Sequence, residues 1–160
     1  MKIVITGGAG FIGSKVVEFL NKREDENIEV VIVDNLHPQI HGDDPYNSYL
    51  YLQTLGKCRC LVADVCEVEK WGDELVDCNV LIHLAAETGT GQSMYELQRY
   101  HDVNCSGIIN ILEYLSTNEI VLDKILFASS RSVYGEGAYI CDKHGRNAHV
   151  SRDEKLLCNG

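Results

Sequence analysis

Three things are missing from this 160-residue sequence: a long apolar run, a paired-cysteine motif and an excess of positive charge. The apolar residues come in short runs, well below the ~20 that a bilayer-spanning helix needs, so no membrane segment is expected. The opening KIVIT runs straight into glycines, without the basic flank, apolar stretch and small-residue cleavage site of a secretory signal, and a cytoplasmic location is expected. Seven cysteines, at 58, 60, 66, 78, 105, 141 and 158, are odd in number, scattered and free of any C-x-x-C pair. That pattern argues for reduced thiols rather than a disulfide framework. Cys141 and His144 have a ligand-like spacing, but with no second pair they make no metal site, and no metal is expected. Lys and Arg total 14 against 24 Asp and Glu, a net charge of -10. This excludes a nucleic-acid-binding surface, which needs clustered cations to replace phosphate counterions, so any anionic ligand must be held by local features.

What is present is an alternation of β-rich apolar runs with helical patterns. KIVIT is followed by FIGSKVVEFLNK, then IEVVIVD, and later by CRCLVAD, NVLIHLAA and KILFASS. The strand runs are apolar without alternation, as strands covered on both faces are. In SMYELQRYHDVNCSGIINILEYLS, Leu97, Tyr100, Asn104, Ile108, Ile111 and Leu115 recur at steps of three and four, which predicts one long amphipathic helix. Strand alternating with helix implies a doubly wound α/β fold, a parallel sheet of five strands in the order 3-2-1-4-5. Two stretches break the rhythm. Residues 35–57 form either a functional loop or one carrying a short helix around Tyr46 to Leu55. The last 25 residues lose apolar periodicity and are expected to be irregular.

The stretch TGGAGFIGSK admits two phosphate-binding readings. A triphosphatase loop needs Lys and then Ser or Thr after its last glycine, whereas here Gly13 is followed by Ser14 and Lys15, the reverse order. The dinucleotide turn fits better. Gly8 permits the tight turn, Gly10 lets backbone approach a pyrophosphate, Gly13 allows close helix-strand packing, and the helix from Phe11 offers free N–H groups and a positive dipole end. The stripe Ile12, Val16, Phe19, Leu20 should pack on the sheet. About twenty residues on, Asp34 closes the second strand where a carboxylate accepts from the adenosine ribose hydroxyls, unless it is an ordinary strand-end turn aspartate. That carboxylate repels a 2'-phosphate and Asn35 brings no cation, which favours NAD over NADP.

With Thr6-Gly7-x-x-Gly10-x-x-Gly13, Asp34, ADV at 63–65, HLAA at 83–86 and SSRSVYG at 129–135 in hand, the chain resembles the extended short-chain dehydrogenase/reductases. Within them it is similar to the NAD-dependent nucleotide-sugar epimerases and dehydratases. The resemblance implies a Rossmann-type NAD-binding domain over 1–137, followed over 138–160 by the start of an incomplete active-site region. The later strands and the smaller substrate domain of such enzymes, roughly twice this length, are expected to be missing. It further implies that NAD is held by Gly7, Gly10, Phe11, Ile12 and Gly13, by Asp34 and Asn35, by Asp64 and Val65, by Leu84, Ala85 and Ala86, and by Asn104. Several of these have plainer readings. Asp64 with Glu67 also reads as a capping box, Ala85 and Ala86 as packing, and Asn104 as a core hydrogen-bond hub. His83, inside an apolar run, reads as a satisfied core histidine.

For catalysis the resemblance implies that Ser130 bonds the reacting sugar oxygen, although a strand-end serine bonded to backbone looks the same in sequence. Related 4,6-dehydratases carry Asp-Glu after the hydroxyl residue, where this chain has Arg131 and Ser132, which favours epimerisation; Arg131 reads as a contact to substrate phosphate or, more readily, as an exposed loop arginine. The family's tyrosinate and its lysine four residues later match one string here, Tyr139 to Lys143, only nine residues after Ser130 and bracketed by glycines. Tyr134 matches a non-catalytic tyrosine. The expectation is therefore a nucleotide-sugar 4-epimerase whose 160 residues alone turn over no sugar. The alternatives are a dehydratase and a non-catalytic NAD-binding module. A homodimer through the 94–117 helix is also implied.

Overall fold

The computed structural model describes residues 1–23, 27–134 and 138–147. Gly135, Gly137 and the tail from 148 to 160 lie outside the described residues. The chain divides into two compact units, Met1–Phe127 and the residues from Ala128 onward.

The first unit is a parallel sheet of β1 (Lys2–Thr6), β2 (Glu29–Asp34), β3 (Arg59–Val62), β4 (Val80–His83) and β5 (Lys124–Phe127). Their spatial order is β3-β2-β1-β4-β5, the expected one. Alternate residues of the central strands feed opposite cores. Val4, Val31, Val33 and Leu81 meet Trp71, Leu75, Ile111 and Leu115 on one face, while Ile3, Ile5, Val30 and Ile32 meet Ala9, Val17 and Leu36 on the other. Burial of each such branched side chain stabilises by about 1.5–3 kcal/mol, which holds β1, β2 and β4 in the middle of the sheet. Contrary to expectation, the described residues do not cover the edge strands β3 and β5 on both faces, and Val62, Leu126 and Phe127 are exposed. In register, Thr6 lies beside Val33 on one side and His83 on the other, so β1, β2 and β4 end together.

Helix α1 (Phe11–Asn21) follows β1. Its buried stripe is not the predicted one. Gly13, Ser14 and Val17 face the sheet, Val16 and Leu20 flank them, and Ile12 and Phe19 are exposed. The reason is distance: a Cβ on Gly13 would sit 2.4 Å from the Gly7 carbonyl oxygen and 2.6 Å from the Gly8 Cα. At Gly13 the helix is pulled so close to the turn that no side chain fits beneath it.

Residues 35–57 carry three short turns, α2 (Pro38–His41), a 3-10 turn Pro45–Asn47 and α3 (Tyr49–Leu52). The long helix expected over 94–117 is broken. α4 (Leu97–His101) passes through a π turn, Asp102–Ser106, into α5 (Gly107–Thr117). One extra residue in a turn rotates the segment before it by about 100° relative to the helix after it. Ile111 and Leu115 therefore stay on the buried stripe, while Leu97 and Asn104 are exposed. Among the described residues no helix is long and apolar enough to cross a membrane.

The second unit, where described, holds a 3-10 turn Arg131–Tyr134 and an antiparallel hairpin of β6 (Tyr139–Cys141) and β7 (Gly145–Asn147). The expected irregularity over this stretch is thus replaced by a hairpin, with Gly145 at φ +70 where its tight turn requires a left-handed residue.

Candidate functional site: a dinucleotide crevice

The carboxyl ends of β2, β1 and β4 define the place where a doubly wound sheet binds its ligand, the point at which strand order reverses. At its centre is the glycine turn. The residue in the left-handed region is Gly7, at φ +68, and not Gly8. A Cβ on Gly7 would lie 2.7 Å from the Ala85 nitrogen, and one on Gly8 would lie 2.4 Å from the Ile32 side chain. Gly7 therefore makes the tight turn against β4 and Gly8 the close packing on β2. Gly10 is the N-cap of α1 and brings no side chain to its first-turn N–H groups. Those amides, with the positive end of the helix dipole, form a cradle suited to an anion. Phe11 and Ile12 expose their side chains at this end.

Asp34 is not a mere turn residue. Its Oδ2 accepts from the Ala9 N–H at 3.0 Å and its Oδ1 from the Leu36 N–H at 2.9 Å, which ties the end of β2 to the glycine turn and to Leu36, held in the left-handed region at φ 51. The carboxylate retains acceptor capacity on both oxygens. Behind it lies buried His41, whose Nε2 is 3.8 Å from Oδ1 and whose Nδ1 is 2.7 Å from the Ser48 hydroxyl. Burial lowers the His41 pKa against the opposing pull of Asp34, so the imidazole is neutral at pH 7.

Next along the edge, Asn35 Nδ2 donates to Asp64 Oδ2 at 3.0 Å and the Cys66 N–H to Asp64 Oδ1 at 2.8 Å. Burial works to raise the Asp64 pKa, but the hydrogen bonds from Cys66 and Asn35 outweigh it and the carboxyl is held below its usual value. The capping box does not form. The Glu67 N–H goes to the Asp64 main-chain oxygen, and the Glu67 carboxylate pairs with Lys70. Val65 is buried in the core against Gly107, which leaves only its main chain for a ligand.

On the β4 side, His83 is buried and shares a 2.8 Å hydrogen bond between its Nδ1 and the Thr6 hydroxyl. The Thr6 oxygen also receives the Ala85 N–H at 3.4 Å, so one hydroxyl ties the ends of β1 and β4 together. Burial lowers the His83 pKa, as the core-histidine reading requires. Leu84 donates to the Thr6 carbonyl at 3.0 Å, Ala85 is half-buried, and Ala86 is exposed. Asn104, in the π turn, grips Glu87 from both sides: Oδ1 accepts the Glu87 N–H at 2.8 Å and Nδ2 donates to the Glu87 carbonyl at 3.0 Å. It is exposed and so no core hub. It fixes the loop that continues Leu84–Ala86, and π turns recur at functional sites for such reasons.

Sequence reasoning missed the partners that complete this edge: Ala9 as a donor to Asp34, Thr6 as the link to His83, and Glu87 with Arg99. Glu87 Oε1 accepts from Arg99 Nε at 3.0 Å and Nη2 at 2.6 Å. No periodic pattern joins two residues on a loop and a short helix, so their charges alone gave no signal.

In the second unit Ser130 is exposed and its oxygen accepts the Ser132 N–H at 3.1 Å, leaving its own proton free to donate. Tyr139 lies in β6 and Lys143 in the hairpin turn, so they do not share the helical face that a Tyr-x-x-x-Lys pair needs. Among the described residues no group of three or more His, Cys, Asp or Glu side chains could hold a metal ion.

The glycine cradle, the strand-end carboxylate and the closed edge beside β4 define a dinucleotide-binding domain of the doubly wound class, and its residues fit the group. The sequence pattern described as the NAD dependent epimerase/dehydratase family matches residues 3–151, and the chain belongs to that family, whose cofactor is NAD. A dTDP-L-rhamnose 4-epimerase of Burkholderia thailandensis is 43% identical over 140 residues, 86% of this chain and 37% of that protein. A putative UDP-glucose 4-epimerase of Methanocaldococcus jannaschii is 37% identical over 142 residues, 86% of this chain and 41% of that protein. Among solved structures, the UDP-glucose 4-epimerase of Thermus thermophilus in complex with NAD matches with a TM-score of 0.63 at 26% identity, covering 81% of this chain and 38% of its own. The chain thus spans about two fifths of the length of the relatives it matches.

Proposed function

We propose that this chain is the cofactor-binding part of a nucleotide-sugar 4-epimerase. The observation that carries the reading is the bond from the Ala9 N–H to Asp34, which makes the anion cradle and the diol-binding carboxylate one rigid unit. The first-turn amides of α1 hold the pyrophosphate, Asp34 and Asn35 the adenosine ribose, Asp64 and the Val65 main chain the adenine. Leu84, Ala85 and Ala86, braced by Asn104, wall the far ribose and nicotinamide. Asp34 sets its charge where a 2'-phosphate would lie, so NADP is refused.

When bound, NAD supplies a reversible hydride acceptor, which permits inversion of a sugar carbon without net oxidation. The Ser130 hydroxyl, one lone pair of its oxygen already filled by the Ser132 N–H, hydrogen-bonds the reacting sugar oxygen and keeps its own proton. Ser130 is followed by Arg131 and Ser132, which lack the acid and base that removal of water requires, and this favours epimerase over dehydratase within the family. Since Tyr139 and Lys143 sit on a strand and a turn, the 160 residues alone are expected to bind NAD weakly and turn over no sugar. Leu97, Ile109 and Leu112, exposed on the 94–117 segment, support a homodimer there.

The test is a titration of this chain with NAD and NADP, together with assay of the natural gene product carrying this sequence on dTDP-, UDP- and CDP-sugars for inversion at carbon four. The 43% relative puts dTDP-sugars first in that panel. Equal affinity for NAD and NADP would remove the Asp34 argument. Inversion catalysed by the 160-residue chain would refute the expectation that it is inactive.

A further inference from the structure

The loop leaving β2 and the loop leaving β4 stand on either side of β1, whose end carries the glycine turn. A single guanidinium joins them. Arg99 of α4 donates through Nε and Nη2 to Glu87 Oε1 on the β4 loop, and through Nη2 to His37 Nδ1 on the β2 loop at 3.3 Å. Its Nη1 donates to Glu96 Oε2 at 2.9 Å, which fixes the guanidinium plane at the start of its own helix. His37 Nδ1 also receives the Gln39 N–H at 3.2 Å. In this geometry His37 Nδ1 is the acceptor that the two donors share. The Glu87 carboxylate is largely buried, with 12% of its side chain exposed, and its main chain is clamped at both N–H and carbonyl by Asn104. A second contact lies nearby. Tyr100 donates to the Gly89 carbonyl at 2.8 Å, and a Cβ on Gly89 would come within 3.3 Å of Gln39 Nε2 from the β2 loop.

We propose that Arg99 is a positioning residue that sets the separation of the two loops, so that the adenosine side at Asp34 and the nicotinamide side at Leu84–Ala86 present their contacts to one dinucleotide at the same time. The inference rests on the cofactor reading above. A ligand spanning both loops gains from their being held at the right distance, because its second set of contacts is then made intramolecularly. A ligand that touches only the Asp34 side gains nothing. This separates positioning from general stability, which would affect both kinds of ligand alike.

The experiment titrates the 160-residue chain with NAD and with AMP by ligand-observed NMR, comparing the unaltered protein with Arg99→Met and Arg99→Lys, each checked for cooperative melting. Arg99→Met is expected to weaken NAD about tenfold while AMP stays within about twofold. Arg99→Lys is expected to recover part of the loss, since an ammonium reaches Glu87 but lacks the fork that also meets His37. Glu87→Gln keeps the side-chain shape, removes its charge and should show the same selective loss; it decides the matter if Arg99→Met fails to fold. Equal weakening of both ligands, or of neither, overturns the proposal and leaves the cofactor reading standing. If the unaltered chain binds neither AMP nor NAD, the cofactor reading falls and takes this inference with it.

Discussion

Around Asp34 the crevice is built from main chain, whereas around Glu87 it is built from side chains. On the first side, Ala9 and Leu36 supply backbone N–H groups to the carboxylate, and the glycine turn has no room for a Cβ at Gly7, Gly8 or Gly13. On the second, the loop is held by an amide, a guanidinium and a phenol reaching from α4 and the π turn. The main-chain side is stiff because steric exclusion leaves one arrangement. The side-chain side is adjustable, because each holding group has rotamers of its own. A dinucleotide site benefits from both: a fixed cradle for the phosphates common to all such ligands, and a tunable wall where the chemistry occurs.

The comparison can be broken most forcefully at Gly7. Gly7→Ala forces a left-handed conformation on an L side chain and drives its Cβ into the Ala85 main chain, together costing about 3 kcal/mol. Urea denaturation should show that loss, and a cost below about 0.5 kcal/mol would mean that the turn has slack and the stiff half is not stiff.

A smaller effect is expected from acid. His83 and His41 are held neutral by burial, so their folded pKa values lie below the unfolded one. The unfolded chain then binds more protons as pH falls: stability is whole above about 6.5 and declines below it, levelling only under the folded values. Denaturation at pH 7.5 and 5.5 should differ by on the order of 1 kcal/mol, and His83→Gln should remove part of that difference. A slope unchanged by His83→Gln would show that His83 is not buried neutral.

Asn104→Ala probes the side-chain half alone. Losing two hydrogen bonds from an exposed amide is expected to cost about 1 kcal/mol and to speed exchange of the Glu87 N–H, while the Ala9 N–H stays protected. Equal acceleration at both amides would erase the distinction between the halves.

Most of the first half could be read from residues alone. Thr6 to Gly13 and Asp34 lie within one βαβ unit, where glycine sterics and strand ends fix relative position over a short stretch of chain. The assignment of the tight turn to Gly8 still missed by one residue, because which glycine meets β4 depends on a strand far along the chain, ending beside Ala85. The predicted stripe on α1 held at Val16 and Leu20 and failed at Ile12 and Phe19 for a related reason: the helix is drawn in along Gly13, Ser14 and Val17, which turns those two side chains outward. At 94–117 the periodicity was real over Ile108, Ile111 and Leu115, and a π turn cut it off before Asn104.

The sequence by itself determined the parallel sheet with its order, the glycine cradle and the carboxylate at the end of β2, since strand runs, helix runs and glycines act through local sterics and a hydrophobic period. Tertiary structure alone decided which helix face was buried and how Asn104 and Arg99 grip Glu87. Those outcomes depend on groups far apart in the chain, such as His37 and Arg99, meeting once the sheet has closed the distance between them. Their pairing energies exist only in that assembled geometry, and no local pattern of residues encodes them.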